Sequence, residues 1–199
     1  MRTIVLFFFL LTGLFTRAQQ PFTGIIEYKV TDLNNPAGVY KMIMTRTPEK
    51  IMVRIIYRLK NKEERVLINT VNDSLYQLDP LTKTYIAEPM NPGPDEDLEM
   101  IRTDSVKNIL GHKCSGYQMI VDDDVEGFAW VAEDMGGLRK QYPLTISTSI
   151  TGGKYVMLGF NDSWKNDKRS VVTAVSIKKM DRIPASVFDI SGYRSRPKR

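Results

Sequence analysis

His112 and Cys114 are the single histidine and the single cysteine of the 199-residue chain, and they stand two positions apart in ILGHKCSGYQMIV, residues 109–121. Imidazole and thiolate together offer two chemistries: zinc ligation, or a nucleophile with its base. Residues two apart on a strand point to the same side, so both groups could meet one ligand. Zinc takes four ligands, or three and a water, and here the remainder would have to be carboxylates. A cysteine nucleophile needs a base in hydrogen-bonding reach, and neighbours on one strand hold their side chains parallel. No third group is identifiable to orient the imidazole. The residues favour a plainer reading. Gly111 begins a turn-to-strand passage, His112 is exposed near its start, and Cys114 packs as a small apolar side chain. Cys114 is out of phase with Tyr117, Met119 and Val121, and Gly116 would admit the bulge that restores phase. On this reading the chain has no catalytic residue, no metal ligand and no cofactor; a metal-dependent enzyme at His112 and Cys114 is the third-ranked function class.

Other reactive patterns are thinner. Asp122-Asp123-Asp124-Val125-Glu126-Gly127 has calcium-like composition without the spacing of a helix–loop–helix site, and reads as a solvated hairpin tip. There is no G-x-S-x-G elbow and no G-x-x-x-x-G-K phosphate loop. Arg2 followed by the apolar run Ile4 to Leu11, with Thr16 and Ala18 as small residues before a cut, reads as a signal peptide over residues 1–18. The run is short of the ~20 residues that span a bilayer comfortably; an uncleaved anchor is the alternative. No cysteine follows it to accept a lipid. The expectation is a soluble periplasmic or secreted product starting at Gln19. One domain over 19–193 fits the length. Export would permit a disulfide, but one cysteine cannot form an internal one.

The chain has 28 Lys and Arg against 23 Asp and Glu. Arg2 and Arg17 leave with the signal, and Arg194, Arg196, Lys198 and Arg199 crowd the last six positions. The body from Gln19 to Ile190 is then close to neutral, with a net charge of −1. It lacks the large basic face that nucleic-acid binding requires. The tail over 194–199 reads as a flexible, solvated terminus. Its alternative is peripheral contact with anionic lipid head groups or glycans, at ~1 kcal/mol per charge.

Alternation dominates the body. Ile51, Val53, Ile55, Tyr57 and Leu59 take one side, and Met52, Arg54, Arg58 and Lys60 the other, with Ile56 the exception. GIIEYKV repeats the rhythm through Ile26, Tyr28 and Val30, and RSVVTAVSIKK repeats it near the end. This is period two, the mark of half-buried antiparallel strands. Turn signals separate them at Asn34 to Gly38, Lys60 to Glu64, Asn72-Asp73, Asp79-Pro80 and Asp122 to Asp124. About ten strands follow one another as a meander. MNPGP at 90–94 breaks the rhythm and leads into Asp95 to Ile101, where acidic residues suit a helix start and Leu98 and Ile101 would share a face. Glu133 to Thr148 reads as a loop. The fold class is therefore mainly β: one large curved antiparallel sheet, a half-barrel, with one or two short covering helices.

Nine methionines follow the apolar leader, and methionine fits irregular apolar surfaces. Plain core is the first reading of most of them. The sharper one is a curved sheet whose inner face accepts an acyl chain, with Tyr28, Met42, Met44, Ile55, Tyr57, Trp130 and Met157 as its lining. The mixed face of Val39, Lys41, Ile43 and Thr45 leaves the sidedness of Met42 and Met44 open.

Gly111, Cys114 and Tyr117, then Trp130-Val131, then Phe188, Ile190, Gly192 and Tyr193, with the hairpin DSLYQLDPLTKTY, resemble an uncharacterised family of secreted bacterial domains. The likeness runs from about Gly24 to Tyr193. That family is similar in fold to the lipoprotein carriers LolA and LolB. The resemblance implies a half-barrel with a helical lid and an apolar inner face, and no established activity. The chain departs from LolB in lacking a lipidation cysteine, and from LolA in carrying less helix. The expected function is an exported, non-enzymatic protein that binds a hydrophobic or lipid-like ligand (acyl chain, lipid or lipoprotein). The helix after MNPGP would be the moving cover. The alternative is an envelope structural or interaction module with a filled core. Oligomeric state is open.

Overall fold

The structure is a computed structural model and describes residues 20–32, 40–57, 62–90, 98–121, 124–139, 156–164 and 167–197. The first meander contains β1 (Gly24–Asp32), β2 (Tyr40–Arg46), β3 (Lys50–Tyr57), β4 (Lys62–Asn69), β5 (Ser74–Asp79) and β6 (Thr84–Pro89). The second contains β7 (Leu98–Ile109), β8 (His112–Val121), β9 (Asp124–Ala132), β10 (Met157–Trp164) and β11 (Asp167–Lys179). β12 (Arg194–Ser195) closes the chain. All twelve lie in one sheet, ordered β12-β6-β5-β4-β3-β2-β1-β11-β10-β9-β8-β7. The sheet is open and curved. The two meanders meet where β1 pairs with β11, and every pairing is antiparallel except β12 on β6.

Directly opposed residues share a face, so the register lays out the rows of the sheet. One row runs Ile177, Ile26, Met44, Val53, Val66 across β11, β1, β2, β3 and β4. A second runs Val30, Val172, Phe160, Ala129, Tyr117 across β1, β11, β10, β9 and β8. All belong to one large apolar cluster, and the face these two rows share is the inner face. The outer face of the first meander alternates ion pairs with a smaller cluster. Lys41 bonds Glu27 at 2.7 Å, and Arg54 grips Glu63 at 2.9 and 3.1 Å. Beside these pairs, Met52, Leu67 and Leu78 pack under Ile183 and Phe188. The segment after β11 therefore folds back as a cover on the outer side.

Three expectations change. The helix over Asp95 to Ile101 is overturned at Leu98 to Ile101, which begin β7; residues 95–97 lie outside the described ones. Strand pairing with β8 satisfies the backbone groups that face β8 and sets Met100 opposite Met119. The single helical element among the described residues is a 3-10 turn, Ala185–Phe188, and it sits on the outer face. The second change is at Gly116, which does face a bulge, but the extra residues are on β7: Arg102 opposes Tyr117 and Val106 opposes Ser115. Third, the tail does not begin at 194 as a free end. Arg194 and Arg196 donate their N–H groups to the carbonyls of Lys83 and Tyr85, at 2.9 and 2.8 Å, while their side chains stay exposed.

The β7–β8 hairpin turns through Leu110 and Gly111, both at positive φ, +53° and +87°. Asn108 Oδ1 accepts the Gly111 N–H at 3.0 Å and tightens the turn. Asn-Gly is the pair best suited to such a turn, and leucine is sterically disfavoured in the left-handed region. Leu110 is 48% exposed, so its side chain contributes little packing. Leu110→Asn is expected to stabilise the fold by about 1 kcal/mol in urea denaturation. An unchanged or lowered midpoint would show that the leucine side chain holds something there.

Candidate functional site

The inner face gathers most of the expected lining. Tyr28, Met42 and Ile55 stand in one row across β1, β2 and β3, and Met44 stands in the next, beside Ile26 and Val53. The period of β2 places Met42 and Met44 inside, with Ile43 and Lys41 opposite Glu27 and Lys29 on the other face. Tyr57 continues the phase of Ile55, is half-buried, and donates its hydroxyl to Glu64 at 3.0 Å. Met157 opposes Val131 on β9 and is buried; its carbonyl accepts the Tyr28 hydroxyl at 2.9 Å. Trp130 is half-buried and packs against the same large apolar cluster, but it is one residue out of phase with Ala129 and Val131, opposite Gly116 and Gly159. Its ring meets Phe128 edge to face at 4.9 Å, with Lys107 over it at 5.6 Å. The two rings lie over glycines. A Cβ on Gly116 would come within 2.5 Å of Phe128 Cζ, and one on Gly159 within 3.3 Å of Trp130 Cδ1.

The inner side chains are out of solvent: Tyr28 is 1% exposed, Met42 5% and Met44 2%. Described residues from two chain segments cover one end. Gln20 to Phe22 pairs with the loop after β9 through Phe22 N–H to the Gly136 carbonyl, 2.9 Å, and Gly136 N–H to the Gln20 carbonyl, 3.2 Å. That loop carries Met135 and Leu138 into the core and reaches the β2–β3 turn, where Arg139 N–H bonds the Pro48 carbonyl at 3.0 Å. The expected loop from Glu133 is thus a strap across the inner face over its described part, 133–139; residues 140–155 lie outside the described ones.

Arg46 continues the phase of Met42 and Met44 and is fully buried on the same face. Desolvation lowers its guanidinium to about 10, with the Tyr28 phenol opposing the shift, and burial holds the Tyr28 hydroxyl above its ordinary range. Arg46 is legible as the next member of the M-x-M-x-R alternation, although its charge hides it from an apolar inventory.

His112 and Cys114 have different partners. His112 Nδ1 meets Asp134 Oδ2 at 2.8 Å at the surface, whereas Cys114 is 0% exposed and its Sγ lies 3.5 Å from the His112 carbonyl oxygen. Burial first, then the Asp134 charge, pushes the thiol up to about 11. Beside it, buried Ser115 donates to Glu133, which Arg102 and Lys113 also bond at 2.8 and 3.1 Å. These bonds, the Ser115 hydroxyl foremost, hold the Glu133 carboxyl below its ordinary range. The network fastens the root of the strap to β8. Sequence reading misses Asp134, Glu133 and Ser115 because the partners lie 18 and 22 residues apart with no local signal. Among the described residues, no three His, Cys, Asp or Glu side chains are grouped to hold a metal ion.

No family model matches the chain, and no curated protein matches it. Solved structures do. PNGF-II is similar over 88% of this chain at 19% identity, with a TM-score of 0.57; the match covers 31% of PNGF-II, so this chain spans about a third of that protein. An uncharacterised conserved protein from Thermus thermophilus is similar over 87% of this chain and 90% of its own, at 8% identity and a TM-score of 0.53. A LolA superfamily protein from Nitrosomonas europaea aligns over 86% of this chain and 91% of its own, at 10% identity and a TM-score of 0.40. At these identities the first two likenesses bear on the fold alone.

The Cys114 environment has a measurable consequence. With its thiol raised from 9.0 to about 11, the folded state keeps the proton that the unfolded state sheds first. The stabilising contribution is complete below pH 9 and disappears as pH rises through 11. Cys114→Ala should therefore lose less stability than the parent between those values. A thiol reagent at pH 8 should label the parent only after denaturation. Rapid stoichiometric labelling of folded protein would contradict the buried placement.

Proposed function

We propose that this chain is an exported, non-catalytic protein whose inner sheet face holds a hydrophobic or lipid-like ligand. The observation that carries the reading is the unbroken apolar surface across the β1–β11 joint, flanked by two methionines in successive rows. Each methylene buried there is worth about 0.8 kcal/mol, so an acyl chain of modest length would bind. Methionine side chains re-pack at low cost and suit a ligand of variable shape. The row through Tyr28 runs out to Glu64 at β4, and the row through Ala129 to Arg102 at β7, so the surface has polar ends and an apolar middle. That pattern fits an amphiphile with its chain inside and its head at the rim. Export rests on residues 1–18, which lie outside the described ones. Peripheral membrane contact through the basic tail belongs to the same proposal and rests on the exposure of Arg194 and Arg196.

A second reading has its own support. The near-complete burial of Tyr28, Met42 and Met44 is what a filled core gives, and an envelope interaction module needs no ligand. Native mass spectrometry of protein purified from its own host separates the two. The carrier reading expects a bound mass that delipidation removes, and displacement of a fluorescent fatty acid afterwards. A clean apo mass with no displacement leaves the interaction module.

A further inference from the structure

The sheet has two edges, and they are treated differently. β6 is overlaid by β12. β7, twelve residues long, has no described strand on its outer side. A free edge of that length offers unpaired N–H and C=O groups to another chain. Ile101 and Val106 along it are 41% and 56% exposed. Its ladder with β8 is interrupted at mid-length: Thr103, Asp104 and Ser105 stand against Gly116 alone. The Thr103 hydroxyl donates to the Gly116 carbonyl and accepts the Ser105 N–H, both at 3.2 Å, which pins the bow. Asp104 and Ser105 are exposed.

We propose that this bulge is a guard that keeps β7 from pairing with β7 of a second copy of this chain. The copy is the partner the edge fits. In an antiparallel pair centred on Thr103, Glu99 of one copy falls opposite Lys107 of the other, Arg102 opposite Asp104, and Met100 opposite Val106. Both charge pairs are of opposite sign, and symmetry makes each of them twice. The bow stands at the centre of that pairing and bends the strand out of line where the two copies would first meet. The surplus is two residues, an even number. Removing Asp104 and Ser105 would set Thr103 opposite Gly116 and Val106 opposite Ser115 without turning any flanking side chain to the other face. In the shortened strand Glu99 still opposes Lys107 and Met100 still opposes Val106, about Arg102, which Glu133 of its own chain engages.

Sedimentation velocity of the full chain and of the variant lacking Asp104 and Ser105 tests this. The parent should stay monomeric, and the deletion should self-associate at least about tenfold more tightly. Adding Ile101→Lys to the deletion should return it to monomer. A second variant, Glu99→Val with Lys107→Val, keeps the bulge, removes the outer charge pair of the edge, and should remain monomeric. The proposal is overturned if the folded deletion variant stays monomeric, if the parent already dimerises through β7, or if the Glu99→Val, Lys107→Val variant associates with its bulge intact.

Discussion

The fold depends on the phase between β1 and β11. Among the described strands, these are the two whose ladder joins the meanders into one sheet. Side chains alternate with period two, so a slip of one residue would set the apolar face of one meander against the polar face of the other. The sequence of β11 carries one residue too many, and the ladder absorbs it: Glu27 faces Ser176 and Tyr28 faces Ala174, with Val175 bulged between them and 49% exposed. Ile177 below the bulge and Ala174 and Val172 above it then all reach the inner face beside Ile26, Tyr28 and Val30. One exposed valine thus brings the apolar faces of two half-sheets into phase within one twelve-stranded sheet.

Much of this can be read along the chain, because alternation is local. The strands around Ile26, Ile51 and Val172, their antiparallel order and the turns at Asn72 and Asp79 follow from period two and from turn residues. What fails depends on distant partners. Acidic residues before Leu98 favour a helix start, but β8 offers a full ladder and the segment takes it. Residue type groups Trp130 with the large apolar cluster, against which it packs; its phase relative to Ala129 and Val131, over Gly116 and Gly159, is set by the neighbouring strands. Met52 alternates with polar neighbours, yet it is buried because Phe188, far along the chain, lies over it.

The site shows the same division. Tyr28 and Ile55 are recoverable from spacing; the sidedness of Met42 and Met44, open in the sequence, is fixed by the register with β1 and β3, which brings the four into two adjacent rows. The polar fastening of the strap is not recoverable from spacing. Glu133 and Asp134 follow β9 in a stretch with no regular period, and their roles depend on Ser115 and His112 of the neighbouring strand. His112 bonds Asp134 at the start of the loop after β9, and the cysteine two residues on is buried.

The most direct measurement is the methyl spectrum of 13C-methionine-labelled protein during titration with a long-chain fatty acid. Met42, Met44 and Met157 line or border the inner face, whereas Met52 and Met180 belong to the outer cluster. Binding on the inner face moves the first three resonances and leaves the last two in place. A spectrum that does not change, or one in which only Met52 and Met180 move, contradicts it.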